Sequence, residues 1–380
     1  MAPAALPVAN DAGPGGAARA VVRFDARPER PPRPRVTLLV EPRFPGGTSG
    51  AVAAEIRALA PHVSLSVVAL GTAMFRDRPV HPGIAAALDE LGLPLLPEPA
   101  VVRTDTIVLH NPSALKFDAR LGPRLSAGRI VVVTHENFLR PGGSEAFDIR
   151  HCLDLVAARS AGGDCLLAPV SVTNRATVEE WLARRPAEGW RVADRAWTNI
   201  LSHPLAEPTP RPRDRRGRHS RPGFEKFPSL AALRAQFPGH AERCAFLGAD
   251  TLLLDRAALP GHWELHRFGT MAVEDFLAGI DFFVYFTHPL WRESFGRAIA
   301  DAIAAGKLVI TDPATAASFP GVIADDGSGV DSIVAAHVAD PRRYGEAVRR
   351  AQAGLAAQRP EAVVSRLLPL LQPGPAHAAL

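Results

Sequence analysis

The chain has 380 residues, 47% hydrophobic and 22% charged, an ordinary composition for a soluble globular protein and enough length for two domains. Its formal charge of +4 is small for this size, and the basic pI of about 9.3 reflects arginine, because Lys116, Lys226 and Lys307 are the only lysines. That balance is no nucleic-acid signature, and no apolar run approaches the ~20 residues of a membrane span.

In chain order, residues 1–34 are rich in Ala, Pro, Gly and Arg without periodicity and are expected to form a disordered tail. They lack the basic start and unbroken apolar core of a secretory signal. From Arg35 the chain alternates short apolar runs with helical patterns. Strands are expected at 36–40, 63–70, 106–110, 130–135 and 165–169, and helices at about 50–60, 83–91, 113–121, 146–160 and 174–184, with a strand-like WTNIL at 197–201. This rhythm predicts an α/β fold with a doubly wound parallel sheet over residues 35–202.

Residues 203–216 form a Pro- and Arg-rich linker, and PRPRDRR within it is expected to be unable to bury a central strand. A second alternation over 217–360 predicts a helix at 229–237, strands near 244–247 and 264–268, and a helix near 272–279. It continues into DFFVYFTHPLWRESFGRAIADAIAAGKLVIT at 281–311. Helical patterns at 330–357 and 361–371 end the chain, the latter within a terminal segment of 361–380.

The stretch 281–311 reads as strand, loop, helix and strand, and ligands bind at the loop ends of parallel sheets. Glu293 is expected where the helix begins, so the free N–H groups of Ser294, Phe295, Gly296 and Arg297 would present partial positive charge to an anion such as a diphosphate. Asp301, eight positions on, would lie roughly 12 Å away along a helix, a span suited to a nucleotide sugar. An acid in a first turn also stabilises the helix dipole, and Asp301 could be a solvated face residue.

Three further groups draw attention. Gly46, Gly47, Thr48, Ser49 and Gly50 follow the first strand and permit close backbone approach to a bound group, or form a plain turn with Ser49 as helix cap. Arg218, Arg221 and Lys226 follow the linker and could neutralise a diphosphate leaving group, or form a solvated basic loop. His135 ends an apolar strand and could bond a sugar or the reacting centre, or serve as a structural histidine. His288 is a similar candidate, with Trp291 expected to pack.

The Glu293 to Asp301 spacing and the Ser294-Phe295-Gly296 turn resemble the E-x7-E signature of retaining family 4 glycosyltransferases, in which a Gly-Phe-Gly-like turn follows the first acid. The resemblance implies the GT-B fold, two Rossmann-like domains facing a cleft. The acceptor-side domain comes first, the nucleotide-sugar domain second, and a terminal helix crosses back. It implies that Glu293 contacts donor-sugar hydroxyls, that Asp301 holds the ribose, and that Arg218 and Lys226, with Arg221 nearby, hold the diphosphate. Asp is one methylene shorter than the family's Glu, so ribose contact calls for a closer helix or a bridging water. The glycine loop would face donor phosphate or acceptor.

The implied activity is metal-independent transfer of a hexose from a nucleotide sugar to a sugar, glycan or lipid-linked acceptor. The nucleotide sugar is a substrate, so no cofactor is expected. A non-catalytic nucleotide-sugar or glycan-binding protein and a sugar-nucleotide epimerase are the alternatives. Cys152, Cys165 and Cys244 have no C-x-x-C or His-rich companions, so neither a disulfide framework nor a zinc site is expected. A cytoplasmic location is expected, with peripheral contact at the inner membrane face compatible with it, and no nucleic-acid partner is expected.

Overall fold

The structure, a computed structural model, describes residues 33–372; the expected disordered tail lies, but for its last two residues, outside them. The first half runs through β1 (Arg35–Val40), α1 (Gly47–Leu59), β2 (Ser64–Ala69), α2 (Pro82–Glu90), β3 (Leu95–Leu96), β4 (Val101–Arg103), β5 (Thr106–His110) and β6 (Arg124–Ser126). It continues with β7 (Arg129–Thr134), α3 (Ile149–Ala157), β8 (Asp164–Pro169), α4 (Val172–Arg184) and β9 (Trp190–Val192). Seven of these strands form one sheet in the order β3-β2-β1-β5-β7-β8-β9, parallel at every pairing, while β4 and β6 pair separately.

Strands β5 and β7 are buried almost throughout, because helices on both faces leave no solvated side and the sequence answers with TIVLH and IVVVT. The expected helix at 113–121 is a single 3₁₀ turn, Pro112–Leu115, entered through Asn111 in the left-handed region (φ 59°). WTNIL forms no strand. Its side chains are anchored instead, with Trp197 buried and its indole N–H donating to the Glu55 carboxylate at 2.8 Å.

The second half comprises β10 (Arg215–His219), α5 (Leu230–Gln236), β11 (Arg243–Leu247), β12 (Trp263–His266), α6 (Val273–Ala278), β13 (Phe282–Tyr285), α7 (Arg297–Ala304) and β14 (Leu308–Thr311). Then come α8 (Pro313–Ala316), β15 (Ile323–Ala324), α9 (Val330–Ala339), α10 (Pro341–Gly354) and α11 (Pro360–Leu371). Its sheet is also parallel, in the order β12-β11-β10-β13-β14-β15. The single helical pattern expected at 330–357 is divided where Asp340 caps α10 by accepting from the Arg343 N–H, just before Pro341.

The expectation that the basic run cannot supply a central strand is overturned, because β10 lies between β11 and β13. Its arginines have partners, and Arg216 is buried with them. Arg216, 1% exposed, donates to Asp214 at 2.7 Å, to Asp331 at 2.6 Å and to the Gln236 carbonyl at 2.9 Å. Arg215 pairs with fully buried Asp281 at 2.8 Å. A buried charge is tolerable when it is paired, and here adjacent Asp214 and distant Asp331 pair with Arg216. Gly217 permits the close packing, since a Cβ there would lie 2.8 Å from Ile280.

The last helix, α11, returns to the first sheet. Its end is fixed there by the Arg129 guanidinium, which donates to the Leu370 carbonyl at 2.7 Å, and by the Thr106 hydroxyl, which donates to the Leu371 carbonyl at 3.1 Å. Among the described residues no helix is long and apolar enough to cross a membrane.

Candidate active site

A cavity of about 450 Å³ lies between the two sheets, where the carboxyl ends of both sets of strands converge. The first half contributes the glycine loop, His81, Asn111, His135, Glu136 and Asn199; the second contributes His219 to Arg221, Lys226, Phe268, Tyr285 and the loop into α7. Parallel sheets place their strand ends together, and two facing sheets make a two-walled cleft.

Glu293 is the charged centre of the second wall. Its Oε1 accepts from the Lys226 ammonium at 2.5 Å and from the Tyr285 hydroxyl at 2.7 Å. Among the described residues Oε2 has no protein partner and remains for a ligand. Burial would raise the Glu293 carboxyl, but the Lys226 charge and the two hydrogen bonds outweigh it and hold the group below the usual carboxylate range. Burial, reinforced by the Glu293 charge, pushes the Tyr285 phenol well above its ordinary value, so it stays a donor. Tyr285 ends β13 and was not foreseen; its signal was the polar hydroxyl closing the apolar run FFVY.

Glu293 does not open the helix as expected. The helix starts at Arg297, and Gly296, at φ 88°, turns the chain into it. Phe295 is buried against Phe319, with ring centroids 5.6 Å apart, and that anchor commits the preceding residues to a loop. Ser294, Phe295 and Gly296 line the cavity as the helix is entered. Ser294 also joins the walls: its hydroxyl accepts from the Asn137 N–H at 3.1 Å, and its carbonyl accepts from the Ser171 hydroxyl. Asn137 donates a second bond to the Arg292 carbonyl at 3.0 Å.

Arg218 does not line the cleft, which corrects its expected contact with a diphosphate. It is 1% exposed, its guanidinium carbon 4.5 Å from the Phe227 ring centroid and 4.8 Å from that of Tyr285. It donates to the Phe286 carbonyl at 2.8 Å and to the Lys226 carbonyl. Burial lowers its pKa to about 10, so it remains cationic at neutral pH and holds the Lys226 main chain from beneath. Lys226 itself lines the cavity, its ammonium 5.4 Å from the Trp291 ring centroid. Arg221 lines it too and pairs with Glu225 at 2.8 Å.

Asp301 lines the cavity but is engaged by Arg297, one turn earlier, at 3.0 Å. Arg297 is a third cation of the cleft that the sequence reading left without a role, and it lies against the glycine loop, near Gly47 and Gly50. Gly46, Gly47, Thr48 and Gly50 line the cavity. Ser49 does not cap α1 or face the cavity; it is buried and donates to the Phe44 carbonyl at 2.6 Å. His288 lies outside the cavity lining and accepts from the Leu290 N–H at 3.2 Å.

His135 lines the cavity, and its Nε2 lies 3.0 Å from Nδ1 of buried His110. Burial and the neighbouring ring push the His135 imidazolium well below its ordinary value, so the ring is neutral at pH 7. His219, at the end of β10, lines the opposite wall. Burial lowers it to about 4 against the opposing pull of Asp301, and its Nε2 has no partner among the described residues.

No family model matches the sequence, and no curated protein matches it. Solved structures do match in fold. Anabaena HepE in complex with UDP and glucose is 15% identical, with 89% of this chain and 99% of that one covered at a TM-score of 0.61. An alpha-glucosyltransferase in complex with UDP-glucose and DNA containing an abasic site is 9% identical, covering 88% and 98% at 0.57. A glycosyltransferase from Rickettsia africae is 11% identical, covering 88% and 97% at 0.56. With its two parallel sheets and the cleft between their strand ends, this chain has the GT-B fold.

Proposed function

We propose that this protein is a glycosyltransferase that moves a hexose from a nucleotide-sugar donor to an acceptor with retention of configuration and without a metal. The observation that carries the reading is the Glu293 cluster at the mouth of α7. A carboxylate held ionised by Lys226 and Tyr285 keeps one oxygen for a sugar hydroxyl, beside backbone N–H groups and cations suited to a diphosphate. Lys226, Arg221 and Arg297 supply the positive charge that a departing nucleoside diphosphate needs. The remaining work is positioning, which two facing walls accomplish by closing on donor and acceptor together.

One fold neighbour, Anabaena HepE, was crystallised with UDP and glucose and with UDP-glucose, which makes these the first ligands to try. The acceptor is a sugar, glycan or lipid-linked hydroxyl. A non-catalytic binding role is the second reading, favoured by one observation, the engagement of Asp301 by Arg297 where a ribose would be held.

A panel of nucleotide sugars, screened first by thermal stabilisation, should identify the donor, since a ligand that binds only the folded state raises its melting temperature. Incubation with that donor and product analysis then separates transfer from epimerisation and from binding alone. Glu293→Ala should abolish sugar transfer in a folded protein; wild-type turnover in that variant would refute the assignment.

A further inference from the structure

Behind His135 lies a chain of buried titratable groups for which the reading above gives no role. Glu55 on α1 is 5% exposed and His110 at the end of β5 is 2% exposed. Glu55 Oε2 accepts from the Trp197 indole at 2.8 Å, while Oε1 faces His110 Nε2 at 3.3 Å. Neither Oε1 nor His110 Nε2 has a hydrogen-bond partner among the described residues, so at 3.3 Å each is the other's nearest available partner in a buried site. On its other side His110 Nδ1 meets His135 Nε2 at 3.0 Å, and His135 lines the cleft.

With His110 neutral and Glu55 ionised, hydrogen-bond bookkeeping gives this chain a direction. A carboxylate can only accept, so a neutral His110 must carry its hydrogen on Nε2, toward Glu55. Its Nδ1 is then bare and must accept, which places the His135 hydrogen on Nε2. We propose that Glu55 and His110 are positioning residues that set His135 in this tautomer, so that its bare Nδ1 faces the cleft as acceptor for a substrate hydroxyl.

This deepens the glycosyl-transfer reading and rests on it. The same wiring gives a taken proton somewhere to go. When Nδ1 of His135 accepts a proton from a hydroxyl, the Nε2 proton passes to Nδ1 of His110. The resulting His110 imidazolium stands beside the Glu55 carboxylate, and His135 is neutral again in the opposite tautomer. The displaced charge rests in the interior, where a carboxylate compensates it, and not at the sugar. Of the other charged groups lining the cavity, Glu136 adjoins His135 in the chain, and Lys226 is paired with Glu293 Oε1.

The test is ¹⁵N NMR of histidine-labelled full-length protein, with His135 assigned by the signals lost in His135→Asn. Wild type at neutral pH should show His135 protonated on Nε2 and bare on Nδ1. In Glu55→Gln the amide can donate to His110 Nε2, reversing the chain, so the His135 nitrogens should exchange signatures. Turnover should then fall by about 100-fold at nearly unchanged donor KM. A merely structural Glu55 would lower the melting temperature without exchanging the nitrogens. Wild-type protein with its hydrogen on Nδ1, or a folded Glu55→Gln with wild-type signatures, overturns the proposal. If Glu55→Gln does not fold, the wild-type spectrum decides alone. The spectra need no turnover, so failure of the tautomer assignment and failure of the transfer reading are told apart.

Discussion

The two walls of the cleft handle polarity in opposite ways. The first-half wall is built from a glycine loop and a neutral histidine backed by buried groups, with its polar atoms turned into a hydrogen-bonded interior. The second-half wall carries ions in pairs, Lys226 with Glu293, Arg221 with Glu225 and Arg297 with Asp301, each a cation beside an acid at the cavity surface. A wall of pairs can re-partner when an anionic ligand arrives, whereas the first-half wall, whose lining side chains include Glu136 and no Lys or Arg, can offer an anion only hydrogen bonds and shape. On the proposed reading, the phosphate-bearing end of a ligand belongs with the second half and its hydroxyl-bearing end with the first.

Four experiments break or sharpen this contrast. The largest effect expected is on acid stability. His219 is lowered to about 4 in the fold from an ordinary 6.5, so the unfolded chain binds the proton first; the stability is fully present above pH 6.5 and declines as pH falls toward 4, by about 3 kcal/mol from this group. Urea unfolding at stepped pH should show that decline, and His219→Gln should flatten it. Next comes Lys226→Met, which removes the cation nearest Glu293 and should weaken nucleoside diphosphate binding about 100-fold, or ~2.7 kcal/mol, by calorimetry.

Arg218→Met should leave the Phe286 and Lys226 carbonyls without their donors and cost about 2 kcal/mol of stability in denaturant titration. An unchanged unfolding midpoint would contradict the supporting role given to Arg218. The smallest effect belongs to Arg297→Leu, expected to reduce diphosphate affinity about tenfold at low salt, with less difference at high salt because a partly exposed cation is screened. A tighter-binding Arg297→Leu would mean that freeing Asp301 matters more than the lost positive charge.

Much of this arrangement could be read from local pattern. Apolar runs such as TIVLH and IVVVT announce parallel strands because both faces are covered, whereas the start of α7 was placed at Glu293, four residues before Arg297. What escaped depends on partners far away in sequence. RRGRH looks too charged for a central strand until Asp331, 115 residues on, is seen to accept from Arg216. The same distance effect reverses Arg218, whose charge points away from the cleft toward the Phe286 carbonyl, 68 residues downstream. His110 and His219 each close a strand as His135 follows one, so the strand-end signal was present in all three; only contacts across the fold, to Glu55 and His135, distinguish His110.

The return of α11 has a mechanical consequence. The backbone passes between the halves twice, once through residues 203–214 and once just before α11, and the two passages are tied together. The Leu201 N–H donates to the Gln358 carbonyl at 2.9 Å, and the Arg359 guanidinium donates to the His203 carbonyl at 2.7 Å. A single tether would let one half swivel freely about it. Two joined tethers resist that swivel, so the rotational setting of the glycine loop against the Glu293 loop is braced by a doubled link.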